Sequence, residues 1–534
     1  MVYSFFFTYS DSSSPTMGLL GILFVLLMTG FFTDGANILA IFPYQGKSHN
    51  IMFEPLMIGL AKAGHSVDVV SHFPLENPVT GFNHTSLKGT LRSFVNKVPV
   101  EITLKNKGTF RLIHFGSAEE PESLCGLMKL PQLQDIINTD KKYDLMITEI
   151  MGTNCYLAVA HKLKLPVVGL VTNVMYSWAY PPVFGDTHPS FIPSQLTEFT
   201  NEMNFVERVQ NLIIHLYSQY LFSYYDQTVS DPLARKYVEG VPPLNDIYNN
   251  ISLVICNSHF SIHGARPGNP AVVEAAGIHI DESQTLSEEL DSFLNSSKDG
   301  VVYFSMGTMV RSDTFSPEKI HAIYETFSEL SNYKVLWKGN LDSLPEPLPY
   351  NVKVVSWAPQ YAVLRHPKVK AFVTHGGLMG TQEAIHAGVP MIGIPFFSDQ
   401  KFNVKGYAHR GFAIYLDYLK ISKESFSKAL AEVLTNPKYQ SNAARFSRLF
   451  KDRPLSPLDE AIFWIEYVIR NGGESLKSSG RHLYWFQYYL IDVILFLLAV
   501  TSLIIAVLFT FVRRTLRIIT GTQIFSNPMK QKTS

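Results

Sequence analysis

The feature that most constrains this chain is a repeated alternation. Short apolar runs without in-out alternation recur along the sequence, separated by stretches of helical character. In the first half the runs are Asn37 to Phe42, His65 to Val70, Asp144 to Thr148, Pro166 to Val171 and Ser252 to Asn257, with a helical stretch at Glu54 to Ala63. In the second half they are Val301 to Ser305, Lys334 to Trp337, Val352 to Ser356, Lys370 to Thr374, Met391 to Ile394 and Ala413 to Leu416. Ser316-Pro317 there opens a helix as a capping residue and a proline at the first helical position, and Ser422 opens another that runs to Leu434. Strands apolar on both faces, spaced by helices, predict parallel sheets covered on both sides. The expected fold is α/β, two Rossmann-like doubly wound domains that face a cleft, with ligands at the C-terminal edges of the strands. The segment from Phe184 to Leu233 is aromatic and helical in pattern, and it has no place in either sheet.

The ends of the chain are addresses. Met17 to Phe32 is an apolar stretch followed by small residues at Gly35 and Ala36, the pattern of a secretory signal peptide cleaved near Gly35. It lacks a basic n-region, and Met17 competes with Met1 as the start. Tyr489 to Val512 is apolar apart from Asp492, Thr501, Ser502 and Thr510. At ~1.5 Å per residue it crosses a hydrocarbon core of ~30 Å. Arg513, Arg514 and Arg517 follow, which puts the tail in the cytosol and the body on the lumenal side. Lys530 and Lys532, three and five residues from the C-terminal Ser534, resemble a di-lysine retrieval signal of endoplasmic-reticulum membrane proteins. Sequons at Asn83, Asn250 and Asn295 are usable only in a lumenal body. The expected division is 1–35 leader, 36–285 acceptor-binding domain, 286–475 donor-binding domain, 489–512 transmembrane helix and 513–534 cytosolic tail. The result is a single-pass type I protein of the endoplasmic-reticulum membrane.

Composition narrows the function classes. Lys plus Arg and Asp plus Glu are each 45, and the body carries no long basic run, so no nucleic-acid partner is expected. The three cysteines, Cys125, Cys155 and Cys256, exclude a disulfide framework and a cysteine-rich zinc module.

The densest chemistry lies between Trp357 and Asn403. A buried strand ends at Thr374; His375-Gly376-Gly377 follow, and a helix begins near Gly380. The free N–H groups and positive end of that helix make a site for phosphate oxygens, and His375 can donate to the same diphosphate. The spacing matches neither the P-loop nor GxGxxG. In the first half, the loop Pro43 to His49 lies beyond the first strand, at the cleft edge. His65 and His72 compete with His49 as a general base.

The run Trp357-Ala-Pro-Gln360 … His366-Pro … Thr374-His375-Gly376-Gly377 … Glu383-Ala … Gly388-Val-Pro390 … Pro395-Phe-Phe-Ser-Asp399-Gln400 … Asn403 resembles the signature of UDP-glycosyltransferases. Phe304 to Thr308 and the leader–body–anchor–basic-tail layout support the resemblance. The text around Gly46 to His49 and Thr153-Asn-Cys155 is most similar to the insect branch. The resemblance implies a GT-B fold and an inverting hexosyl transfer from a UDP-sugar. UDP-glucose is the first expectation for the donor, and UDP-glucuronate is the second. It implies that Trp357 stacks on uracil with Gln360 at its edge, and that Glu383 accepts from the ribose hydroxyls. His375, Gly377 and the amides before Gly380 and Thr381 hold the diphosphate. Ser305, Gly307 and Thr308 approach from the first loop, and Asp399 and Gln400 bind the sugar.

It makes His49 the base for an acceptor hydroxyl and places an acid at the end of the strand that ends at Thr148. Glu149 stands there, where relatives carry Asp and one residue must be inserted to match. Asn154, where the insect branch often shows Asp, is the other candidate, and its amide supplies no charge. No cofactor and no metal are expected, and no Asp-x-Asp pair lies near the donor segment. The acceptor is expected to be small and lipophilic, and self-association of the chain is left open. The rival readings are a lumenal nucleotide-sugar-binding homologue without catalysis, and an enzyme that glycosylates lipids or builds glycans.

Overall fold

A computed structural model describes residues 35–521 apart from 106, 107, 115 and 117–119. The apolar stretch at Met17 to Phe32 and the lysines at 530 and 532 lie outside the described residues.

The described residues form fifteen strands: β1 Asn37–Ile41, β2 Ser66–Ser71, β3 Phe82–Ser86, β4 Val98–Pro99, β5 Leu145–Glu149, β6 Val167–Val171, β7 Ile251–Cys256, β8 Val272–Glu274, β9 Gly300–Ser305, β10 Val310–Arg311, β11 Tyr333–Lys338, β12 Val352–Val355, β13 Val369–Thr374, β14 Met391–Gly393 and β15 Ala413–Tyr415. Seven make one sheet in the order β3-β2-β1-β5-β6-β7-β8, and six make a second in the order β12-β11-β9-β13-β14-β15. All pairings in both sheets are parallel. β3 and β8 have no counterpart among the expected runs. Both are edge strands, and β3 (FNHTS) is polar while β8 has only three residues, so neither leaves an apolar run to read. β4 and β10 pair in parallel across the two lobes, a link of two residues a side that no local pattern announces.

This topology fixes where a site can form. In the first sheet the direction of winding reverses between β1 and β5, and in the second between β9 and β13. Loops leaving the C-terminal ends of strands at such a reversal diverge and open a crevice. β5 ends in Glu149 and β9 in Ser305, and the segments that follow β1, β9 and β13 carry His49, Met306 to Thr308 and His375 to Gly377.

The helix Pro457–Asn471 falls within the segment assigned to the second domain, yet it packs on the first. Ala461, Ile465 and Val468 are buried in the core of the first sheet, and Gly59 on the helix Lys47–Lys62 leaves room for Leu458 and Ile462. The chain thus crosses back beneath the first lobe before its last helix. The region 184–233 lies outside both sheets. Its main element is the helix Phe205–Tyr225, started by a reciprocal Asn204/Glu207 capping box. The last helix, Ile491–Thr520, has mean hydropathy 2.9 over its most apolar window and no burial there. It begins two residues after the expected start and runs on through Arg513, Arg514 and Arg517, because arginine continues a helix readily.

Candidate active site

Between the lobes lies a cleft of about 780 Å³, lined by residues of both. Its front wall comes from β1, β5 and β6. Gly46 precedes the helix Lys47–Lys62, and His49 sits in that helix's first turn. β1 and β5 are hydrogen-bonded neighbours with Ile41 opposite Thr148, so the residues just beyond each strand end meet. His49 Nδ1 lies 2.5 Å from Glu149 Oε1. Thr172, just beyond β6, donates its hydroxyl to the same carboxylate oxygen at 3.4 Å. Glu149 is nearly fully buried and His49 is partly open to the cleft. A carboxylate on Nδ1 fixes the tautomer and leaves Nε2 for an incoming hydroxyl.

Of the two candidate partners, Glu149 stands beside His49. Asn154 does not line the cleft, and its backbone amide donates to Asp226 Oδ1 at 3.3 Å. The competing histidines are away from the cleft. His65 lies 3.4 Å from Glu466, and buried His72 donates to the carbonyl of Pro43. Beyond Glu149, Cys125 and Cys155 form a disulfide, a single bridge that three scattered cysteines could not announce.

The back wall comes from the second lobe. β13 ends at Thr374, and Gly376 takes φ +84°, a left-handed turn where a Cβ would also strike Val404 at 2.4 Å. Gly377 caps the helix Leu378–Ala387 with no side chain, so its first-turn amides are not covered by a cap. Gly377 to Gly380 line the cleft. His375 is half-buried beside them. Burial, helped by the nearby Lys338 charge, pushes its pKa down to about 4, so the ring is neutral and serves as an N–H donor. Gly307 and Gly377 hold space for that ring: a Cβ on either would come within 2.4 Å of it. Gly307 also has φ +76°. Gly307→Ala therefore combines a left-handed penalty of about 1–2 kcal/mol with displacement of the imidazole. Nucleotide affinity should fall with it, as UDP titration calorimetry would show.

Trp357 is 58% exposed, a large indole held open at the cleft. Lys338 Nζ stands 4.8 Å from its ring centroid and donates to the Gly307 carbonyl at 2.6 Å. Burial brings the Lys338 ammonium down to about 8. Gln360 donates to Glu383 Oε2 and accepts from the Tyr303 hydroxyl at 3.3 Å. Burial pushes the Glu383 carboxyl up to about 7, although the Gln360 hydrogen bond opposes the shift. Asp399 and Gln400 reach the cleft from the opposite side. The Asp399 carboxyl is raised by burial, and Asn403 Nδ2 holds one of its oxygens at 2.7 Å. Gln400 Oε1 accepts from the Phe396 and Phe397 amides.

Two of the expected donor-site residues do not line the cleft. Ser305 is fully buried off the cleft, and its hydroxyl accepts from the Gly307 amide. Thr381 faces inward: its amide bonds to the Gly377 carbonyl and its hydroxyl meets Tyr407. A motif position on a helix does not reveal which way its side chain faces until the helix is docked. Lys338, Tyr303 and Thr172 are cleft residues the sequence reading passed over. Lys338 had a signal, a charge directly after the apolar run ending at Trp337.

Comparison with known proteins places the chain in a family. Residues 85–524 match the family model described as UDP-glucoronosyl and UDP-glucosyl transferase. UDP-glucosyltransferase 2 of Dactylopius coccus is 36% identical over 484 residues, which is 89% of this chain and 92% of that protein. UDP-glucuronosyltransferase 2B15 of Rattus norvegicus is 35% identical over 501 residues, 88% of this chain and 92% of that one. Among solved structures, a UDP-glucose: anthocyanidin 3-O-glucosyltransferase in complex with UDP superposes with TM-score 0.55 at 19% identity, covering 82% of this chain and all of that one, which speaks to the GT-B fold alone. The chain belongs to the family of UDP-glucuronosyl and UDP-glucosyl transferases.

Proposed function

We propose that this glycosyltransferase moves glucose from UDP-glucose to the hydroxyl of a small lipophilic acceptor, with inversion. The observation that carries the reading is the His49–Glu149 pair at 2.5 Å, set across the cleft from an uncapped helix N-terminus. The acceptor hydroxyl gives its proton to His49 Nε2 as its oxygen attacks the anomeric carbon. The bond to the UDP oxygen breaks on the opposite face, and the bonding electrons leave with the diphosphate. Glu149 stabilises the imidazolium as it forms. The amides at Gly377 to Gly380, the neutral His375 and Lys338 meet the charge that grows on the diphosphate, and no metal is assigned to that task. Trp357 stacks on uracil, Glu383 takes the ribose hydroxyls, and Asp399 with Gln400 holds the sugar.

The acceptor end of the cleft is bordered by Phe94, Ile102, Leu112, Ile113, Trp178 and Leu196, which supports a lipophilic aglycone. The name of the Dactylopius coccus relative supports glucose; that of the rat relative makes glucuronate the second reading. The basic flank after the apolar helix supports a lumenal body, and so does the Cys125–Cys155 bridge, which an oxidising compartment maintains. Asn83, Asn250 and Asn295 are exposed and open to glycosylation there.

The test is UDP release from UDP-glucose and from UDP-glucuronate over a panel of phenols. Turnover with glucose alone supports the first reading, turnover with glucuronate alone the second. UDP binding without turnover on any acceptor would favour a binding protein.

Glu383 adds a pH signature. Its carboxyl carries a proton below about pH 7, and the ribose hydroxyls donate best to its ionised form. Nucleotide binding lowers that pKa and expels a proton. UDP affinity should therefore rise with pH toward 7, by up to about tenfold per unit. Calorimetry in buffers of different ionisation enthalpy reads the released proton, and Glu383→Gln should reduce the release and the pH slope to what the UDP phosphate alone contributes.

A further inference from the structure

The helix Phe205–Tyr225 presents an apolar stripe that no other described residue covers. Phe205, Val209, Leu212, Ile213, Leu216 and Tyr220 are between 43% and 71% exposed. At roughly 100° per residue they fall within one sector of the helix, along about 22 Å of axis. A soluble monomer rarely leaves such a face open to water. The opposite face is buried: Ile214 and Leu221 pack on Ile113, and Ile113 lines the acceptor end of the cleft.

The surroundings say what covers the stripe. On the flank beside it, His215 lies 3.1 Å from Asp186 Oδ1, and Gln219 donates to the same oxygen. Asp186 also accepts from the Tyr489 hydroxyl at 2.8 Å, and its carbonyl accepts from Tyr488. Those tyrosines immediately precede the apolar helix Ile491–Thr520. One carboxylate thus clamps this helix to the point where the chain enters the bilayer. Leu483, Tyr484 and Trp485, all exposed, continue the apolar surface at the same place and have the composition of an interfacial aromatic belt.

We propose that the stripe on the helix Phe205–Tyr225 seats in the headgroup–acyl boundary of the same bilayer the last helix spans, as a second and interfacial membrane contact. This rests on reading the chain as membrane-anchored. It places the acceptor wall, through Ile113, one helix thickness from lipid, where a lipophilic acceptor concentrates.

The test uses full-length protein in phosphatidylcholine liposomes with and without nitroxide-labelled lipid. Leu216→Cys carries an environment-sensitive fluorophore; Lys428→Cys, exposed on the second lobe, is the reference. The native cysteines are bridged or buried, so the introduced thiol takes the label. The expected result is that nitroxide lipid dims the Leu216→Cys label by about threefold and the reference far less. Equal, weak quenching at both positions overturns the proposal. Weak quenching at Leu216→Cys with energy transfer between differently labelled copies overturns it too, and assigns the stripe to a second copy of the chain. In the Leu212→Glu/Leu216→Glu variant, KM for an acceptor supplied in liposomes should rise about tenfold, with KM for the UDP-sugar unchanged. An unchanged acceptor KM also counts against the proposal. The quenching signal needs no turnover, so its failure is separable from failure of the transfer reading.

Discussion

Replacing His49 by alanine lowers kcat by about 10³-fold and leaves UDP affinity unchanged. An alcohol or phenol is a weak nucleophile while it holds its proton. Among the described residues, His49 is the one imidazole that both faces the cleft from the first lobe and carries a carboxylate on its other nitrogen. The nucleotide binds on the second lobe, so the loss falls on chemistry and spares the donor. Steady-state UDP release with a phenol acceptor, beside calorimetric UDP titration, separates the two. Equal turnover in wild type and His49→Ala would remove the base from the account.

Glu149→Gln has the second-largest effect, a fall in kcat of about 10²-fold. The substitution keeps the shape and removes the charge that fixes the Nδ1–H tautomer and stabilises the imidazolium. Thr172 remains to hold the side chain, so the fold is spared. Asn154→Ala, by contrast, should change kcat by no more than about twofold, because Asn154 does not line the cleft and Glu149 holds the His49 Nδ1. His49→Ala/Glu149→Gln should be no worse than His49→Ala alone, since the carboxylate acts through the ring. A double variant much slower than either single one would give Glu149 a separate role.

Much of this was legible in the residues. The runs that became β1, β5, β6 and β7 are buried on both faces and carry branched apolar side chains, so parallel strands could be read without a structure. The edge strands β3 and β8 could not, because an edge has one open side and tolerates polar or very short sequence. The donor turn was legible because backbone geometry demands glycine: only a residue without Cβ takes φ +84° against Val404, and only that leaves the His375 ring its space. Side-chain direction was not legible, and Ser305 and Thr381 show why. Both belong to segments that build the cradle, yet both face the core. The choice between Glu149 and Asn154 was out of reach for a similar reason. It depends on the β1–β5 register, which brings two residues 100 positions apart within 2.5 Å. The return of Pro457–Asn471 to the first lobe was equally hidden, since its apolar face suits either core.

The most direct measurement is a structure of the chain with UDP bound. The account predicts phosphate oxygens about 3 Å from the first-turn amides of Leu378–Ala387 and from His375, with uracil against Trp357 and His49 facing the β-phosphate from the other lobe. A nucleotide seated away from that helix, or an imidazole turned out of the crevice in the complex, would contradict it.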